Sequence, residues 1–160
     1  MTCSHIGWID VIMLGIAVYP TPVHFMAKKE LFANAFVERF LRSIKAFPVN
    51  RENPGPSALK IPMKLLKENR CVGIFPSGTR SNEDVPLKKG AVTIAVKSKA
   101  PLLPAVYQGP STFKQLLKGK KALVTFGEPI RFDEELQFVQ KDRLIETGVR
   151  ILEEKMKRLQ

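Results

Sequence analysis

Two cysteines, two histidines and one tryptophan are all that this 160-residue chain holds of those types. Cys3 and Cys71 are too few for a disulfide scaffold and have no metal-ligand spacing, which favours a reducing cytoplasm. No stretch approaches the roughly eighteen apolar residues of a membrane-spanning helix, and residues 11–19, apolar throughout, suit a buried helix instead. Met1 is followed by no basic segment, and Asp10 interrupts the apolar run, so the start does not read as a secretory leader. Any membrane contact is therefore expected to be peripheral. Repeats, low-complexity tracts and a second domain are also lacking, and residues 1–160 read as one domain with a core of ordinary size.

Acidic residues are scarce as well: 15 Asp and Glu stand against 26 Lys and Arg, for a net charge of +11. Such an excess calls for an anionic partner, namely phospholipid headgroups, a phosphate substrate, an acidic carrier protein or nucleic acid. Nucleic acid is the weaker option, because zinc spacing and RNA-binding strings are missing and the aromatics are mostly Phe in apolar runs rather than interleaved with Lys and Arg.

Against these absences two short motifs stand out. His5 and Asp10 are spaced H-x-x-x-x-D, and residues 75–81 read Phe-Pro-Ser-Gly-Thr-Arg-Ser. A carboxylate that fixes the tautomer of an imidazole and steadies the imidazolium makes a base able to deprotonate a hydroxyl. Five residues of ideal helix turn about 500°, leaving two such side chains about 140° apart, so His5 is expected on a loop or strand end and Asp10 in the first turn of the helix that follows. Gly78 exposes backbone N–H groups, and Arg80 adds a planar fork suited to phosphate oxygens. An H-x4-D string alone arises by chance in about one such chain in twenty, so its context decides.

That context is a resemblance. His5 with Asp10, Lys28-Lys29-Glu30-Leu31 with Val49-Asn50-Arg51, Gly78-Thr79-Arg80, and Pro101 to Val106 fall in the order of the four blocks of the glycerolipid acyltransferase family, which includes the 1-acylglycerol-3-phosphate acyltransferases. The resemblance implies an α/β fold, with a mostly parallel central sheet flanked by helices. It implies that His5 is the base, that Asp10 orients it, and that Arg51, Gly78, Thr79 and Arg80 bind the acceptor phosphate, with Ser77 and Lys28 as further site residues. It implies transfer of an acyl group from an acyl carrier protein or coenzyme A thioester to lysophosphatidic acid on an anionic membrane surface, at the cytoplasmic face, giving phosphatidic acid for phospholipid biosynthesis. Neither metal nor cofactor is called for.

The chain departs from the family pattern at Ser77, where relatives usually carry Glu, and at Ser4, where Asn is frequent. The family's upstream membrane-associating segment is also expected to be absent. These departures keep open a second reading, a catalytically disabled relative that binds anionic lipid through its basic face. Cys3, two residues before His5, allows a thiol nucleophile, although a buried small cysteine is the commoner fate. His24 has Lys29, not Asp, five residues on and reads as structural.

Periodicity predicts helices over residues 11–18, 31–44, 57–68, capped by Ser57, and 90–98. It predicts strands over residues 23–26, 46–49, 71–75, 102–107 and 123–126, with a polar loop over 77–89. Residues 133–160 form an amphipathic tail whose stripe includes Leu136, Val139, Leu144, Leu152 and Met156 and whose default is to pack on the domain. Strands alternating with helices make a parallel sheet that binds ligands beyond its carboxyl ends, so His5, Arg51 and residues 78–80 are expected to converge on one rim.

Overall fold

The computed structural model describes residues 1–5, 8–50, 55–78, 84–136, 139–140 and 143–160. Strand β1 (Thr2–His5) leads into helix α1 (Trp8–Ala17), and β2 (Val23–Lys28) into a 3-10 turn (Lys29–Ala33) and α2 (Ala35–Ser43). β3 (Phe47–Val49), α3 (Ser57–Lys67), β4 (Cys71–Gly78), α4 (Asp84–Ser98) and β5 (Pro104–Gln108) continue the alternation. α5 (Phe113–Leu117), β6 (Leu123–Phe126), α6 (Phe132–Glu135) and α7 (Leu144–Lys157) complete it.

The six strands form one sheet in the order β3-β2-β4-β1-β5-β6. Each neighbouring pair is parallel except β5 with β6. Helical crossovers return the chain to the starting edge between parallel strands, whereas the direct connection from β5 lets β6 run back beside it. β1 therefore lies inside the sheet, and the ends of β1, β2, β3, β4 and β5 share one rim.

Side chains alternate across the sheet with the period of two that strands impose. Phe25 and Phe75 face α1 and α2, with ring centroids 5.9 Å apart, and join Cys3, Leu14, Leu41 and Tyr107 in one core cluster. Their neighbours Met26 and Ile74 face the other side, where Val72, Ala91 and Ile94 pack with α3. A third cluster, including Val92, Leu102, Ile130 and Leu152, joins α4 to α6 and α7. The amphipathic tail packs as expected, with Leu136, Leu152 and Met156 buried. Lys88 with Glu153 (3.0 Å) and Lys155 with Glu135 (3.2 Å) tie α7 to its neighbours at the surface.

Several expected boundaries change. The helix predicted over residues 31–44 is broken at Asn34, whose side chain accepts from the N–H groups of Phe36 and Val37 and starts α2 anew. Ser57 does not cap α3: Pro56 occupies that position and gives no side-chain cap, leaving Ser57 as the first helical residue. The polar loop of residues 77–89 is shorter than expected at both ends, since β4 extends through Gly78 and α4 begins at Asp84. Leu102 stands outside β5 and pairs instead with Ile130 in an isolated antiparallel bridge.

Candidate active site

β1 ends at His5 and α1 opens at Trp8, so Asp10 falls in the first helical turn, as its spacing predicts. A carboxylate is favoured there by the positive end of the helix dipole. Asp10 is nonetheless fully buried, at 0% exposure, which is rare for an acid without a specific task. Its charge reaches the groups packed around it. Burial first, and then Asp10, push the Cys3 thiol from 9.0 up to about 12, and the same two causes raise the Tyr107 hydroxyl.

The phosphate motif comes to His5 through the backbone. β1 and β4 pair Ser4 with Ser77 and His5 with Gly78, so the two motifs lie side by side although 73 residues separate them in the chain. A register shift between Thr2 and Ser4 produces this match. Thr2 faces Ile74, and an unbroken ladder would set His5 against Ser77 instead of Gly78. Bulges of this kind re-aim residues beside active sites. On the other flank of β1, the Ser4 hydroxyl accepts the Tyr107 N–H at 2.8 Å, and the Tyr107 hydroxyl donates to the Pro110 carbonyl at 2.8 Å. Ser4 thus fastens the end of β1 to β5.

Lys28 closes β2, in register with Val49 at the end of β3, and lies 3.9 Å from Glu30. It also lines a cavity of about 280 Å³ between the sheet and the α1 and α2 side, walled by Val11, Phe25, Leu31, Leu41 and Phe75 among others. The ends of β1, β2, β3 and β4 lie on one rim, which is the part of the expected convergence that the described residues reach. Arg51, Thr79 and Arg80 lie outside the described residues, while Ser77 and Gly78 are the last two residues of β4. The cavity walls escaped the sequence reading because their residues come from α1, β2, α2 and β4 and each has an ordinary core pattern. Ser4 and Tyr107 were missed as supports of β1 because a hydroxyl accepting a backbone N–H across strands leaves no local signal. His24 is structural as read, its Nδ1 lying 3.3 Å from the Cys71 carbonyl oxygen.

The thiol-nucleophile option for Cys3 fails on the electrostatics. With its ionisation moved to about 12, Cys3 stays protonated at neutral pH, and the thiolate is the reactive form. The shift also predicts how stability depends on pH. Between 9.0 and about 12 the folded protein keeps a proton that the unfolded chain releases, so this contribution to stability is full below pH 9.0 and is lost as pH rises towards 12. The slope from one such group is at most about 1.4 kcal/mol per pH unit. Urea unfolding at stepped alkaline pH should show a shallower decline for Cys3→Ala than for the parent, and equal slopes would contradict the buried-thiol account.

Comparisons with known proteins give the chain its family and its fold. A family model described as Acyltransferase matches residues 1–108. The chain is 57% identical over 144 residues to a 1-acyl-sn-glycerol-3-phosphate acyltransferase of Bacillus subtilis, covering 90% of this chain and 72% of that one. It is 40% identical over 131 residues to the protein of the same name from Streptococcus pneumoniae, covering 81% of this chain and 49% of that one. Among solved structures, the 1-acyl-sn-glycerophosphate acyltransferase PlsC of Thermotoga maritima superposes with a TM-score of 0.63 at 23% identity, over 99% of this chain and 64% of that one. With a family match across more than half of its length and a relative at 57% identity, the chain belongs to the acyltransferase family.

Proposed function

We propose that this protein transfers a fatty acyl group from an acyl thioester to the free hydroxyl of 1-acylglycerol 3-phosphate, giving phosphatidic acid. The observation that carries the reading is the β1–β4 register, which sets His5 against Gly78 at the carboxyl ends of two parallel strands. The named activity of the relative at 57% identity supports the choice of acceptor.

In this mechanism His5 takes the proton of the acceptor hydroxyl while its oxygen attacks the thioester carbonyl. The tetrahedral intermediate collapses by breaking the carbon–sulfur bond, and the imidazolium returns the proton to the leaving thiolate. Asp10 holds the imidazole and steadies its charge. Arg51, Thr79 and Arg80, with the backbone of Gly78, bind the acceptor phosphate, and Lys28 adds positive charge at the rim. Ser77, uncharged where relatives carry Glu, contributes a hydroxyl in that binding. The cavity beside Lys28 takes an acyl chain, whose burial contributes about 0.8 kcal/mol per methylene. Acyl carrier protein and coenzyme A both supply the required thioester. The protein works at the cytoplasmic face of the membrane as a peripheral enzyme; no helix among the described residues is long and apolar enough to cross a bilayer.

The test is thiol release from a long-chain acyl thioester by the purified protein on vesicles containing 1-acylglycerol 3-phosphate. Release that depends on the acceptor and matches the phosphatidic acid formed is expected. A folded, vesicle-bound protein that releases none would overturn the reading and leave the lipid-binding relative without catalysis.

A further inference from the structure

The connection from β5 to β6, residues 109–122, combines two features that a solvated turn does not need together. It carries Lys114, Lys118, Lys120 and Lys121, all exposed, and no acidic residue. Between them it presents large apolar side chains to solvent: Phe113 is 56% and Leu117 86% exposed, and Leu123, the first residue of β6, is 56% exposed. Phe113 and Leu117 are four residues apart on α5 and so share one face. Among the described residues Phe36 and Phe40 on α2 are also exposed, but they lie beside an Arg42–Glu38 ion pair and lack this concentration of one sign.

The segment holds a defined shape. A five-residue helix is too short to persist by itself, but α5 is fastened at both ends. The Thr112 hydroxyl accepts the Gln115 N–H at 3.4 Å, and the Gln115 side chain accepts the Ser111 N–H at 3.1 Å. At the other end Gly119, with φ +80°, donates to the Leu116 carbonyl at 3.0 Å, and Lys120 donates to that of Gln115 at 3.3 Å. Only glycine adopts that φ without cost, and the paired bonds complete a Schellman cap. The base of the segment is pinched at Gly109, where an added Cβ would stand 2.8 Å from the Tyr107 hydroxyl and 3.0 Å from the Ala122 Cα. Phe113 and Leu117 are thus held outward on a closed pedestal.

Its position gives the pedestal a use. β5 is parallel to β1, so residues 109–122 leave the sheet at the rim where β1 delivers His5, one residue beyond Gln108 and beside the Ser4–Tyr107 bond. We infer that this segment is a bilayer-docking surface, in which Phe113, Leu117 and Leu123 enter the headgroup boundary and the four lysines bind anionic lipid. The charge is what commits the occupant: apolar side chains ringed by cations of one sign match an anionic interface, which attracts lysines and accepts apolar side chains at once. Docked in this way, the protein holds its rim against the layer that contains an acylated, phosphate-bearing acceptor. The inference rests on the membrane-borne acceptor proposed above.

The experiment measures sedimentation of the full chain with phosphatidylcholine vesicles, with and without phosphatidylglycerol, for the parent, for Lys114→Gln/Lys118→Gln/Lys120→Gln/Lys121→Gln, and for Phe113→Ser/Leu117→Ser. The parent is expected to bind the anionic vesicles more tightly, and the lysine variant to lose roughly 5-fold in partitioning per lysine removed. The apolar variant should bind more weakly on both vesicle types. Thiol release with a short-chain, water-soluble acceptor should be unchanged in both variants, while release with the vesicle-borne acceptor falls. Vesicle binding equal to that of the parent in both variants would overturn the inference. So would a lysine variant that keeps vesicle binding and loses turnover only with an acyl carrier protein thioester, which would assign the lysines to an acidic protein donor. A parent inactive even with the soluble acceptor, with vesicle binding still lost in the variants, would fail the acyltransferase reading and leave the surface standing.

Discussion

His5→Ala is expected to lower acceptor-dependent thiol release by about 10²- to 10⁴-fold, the usual contribution of a positioned general base. The loss should appear in kcat, with KM for both substrates little changed, because the imidazole acts when the hydroxyl proton moves and does not hold the ground state. The position supports this split. His5 is the last residue of a strand fastened on both flanks, to β4 through the His5–Gly78 pairing and to β5 through the Ser4–Tyr107 bond. The substitution at the last residue of β1 leaves the backbone pairing and the Ser4 bond in place, so a folded variant is expected. A variant that keeps full activity would remove His5 from the mechanism, whereas one that loses only affinity for the acceptor would move it among the phosphate-binding groups.

Much of the frame was legible because short apolar runs bounded by Pro, Gly or charge mark the strands of a parallel sheet. The His5–Asp10 spacing put the start of α1 between those two residues, whereas apolar periodicity alone marked the helix only from residue 11, three residues after Trp8 opens it. Other features lay beyond a local pattern. The break at Asn34 is set by a side chain that accepts two backbone N–H groups, an alternative to helix continuation that apolar periodicity does not register. Leu31, Ala35, Phe36, Phe40 and Ile44 have the spacing of one helical stripe, yet Phe36 and Phe40 are 87% and 45% exposed because Val37 and Leu41 supply the face of α2 that meets the core. The start of α4 is hidden because Pro86 stands between Val85 and Leu87, and Lys88-Lys89-Gly90 follows, so no apolar period runs unbroken until Ala91. The register shift in β1, on which the meeting of His5 and Gly78 depends, arises from pairing with a strand more than seventy residues away and has no trace in residues 2–5.

Asp10→Asn is expected to cost activity on the scale of His5→Ala, about 10²- to 10⁴-fold, although the substitution changes neither size nor helix position. An asparagine keeps the volume of a fully buried side chain and withdraws the charge that would fix the tautomer of His5 and balance its imidazolium. Two readouts separate this role from a structural one. In the double variant His5→Ala/Asp10→Asn the losses should not multiply, because residues that work as a unit are non-additive and the carboxylate has nothing to orient once the imidazole is gone. The second readout is Cys3, whose ionisation near 12 owes its rise first to burial and next to Asp10. In a Cys71→Ser background, the alkylation rate of Cys3 should begin to rise at lower pH in Asp10→Asn than with Asp10 present, while burial keeps it above the ordinary thiol value. Losses that multiply in the double variant would show that Asp10 acts without His5, and an unmoved Cys3 profile would show that its charge does not reach the core of β1.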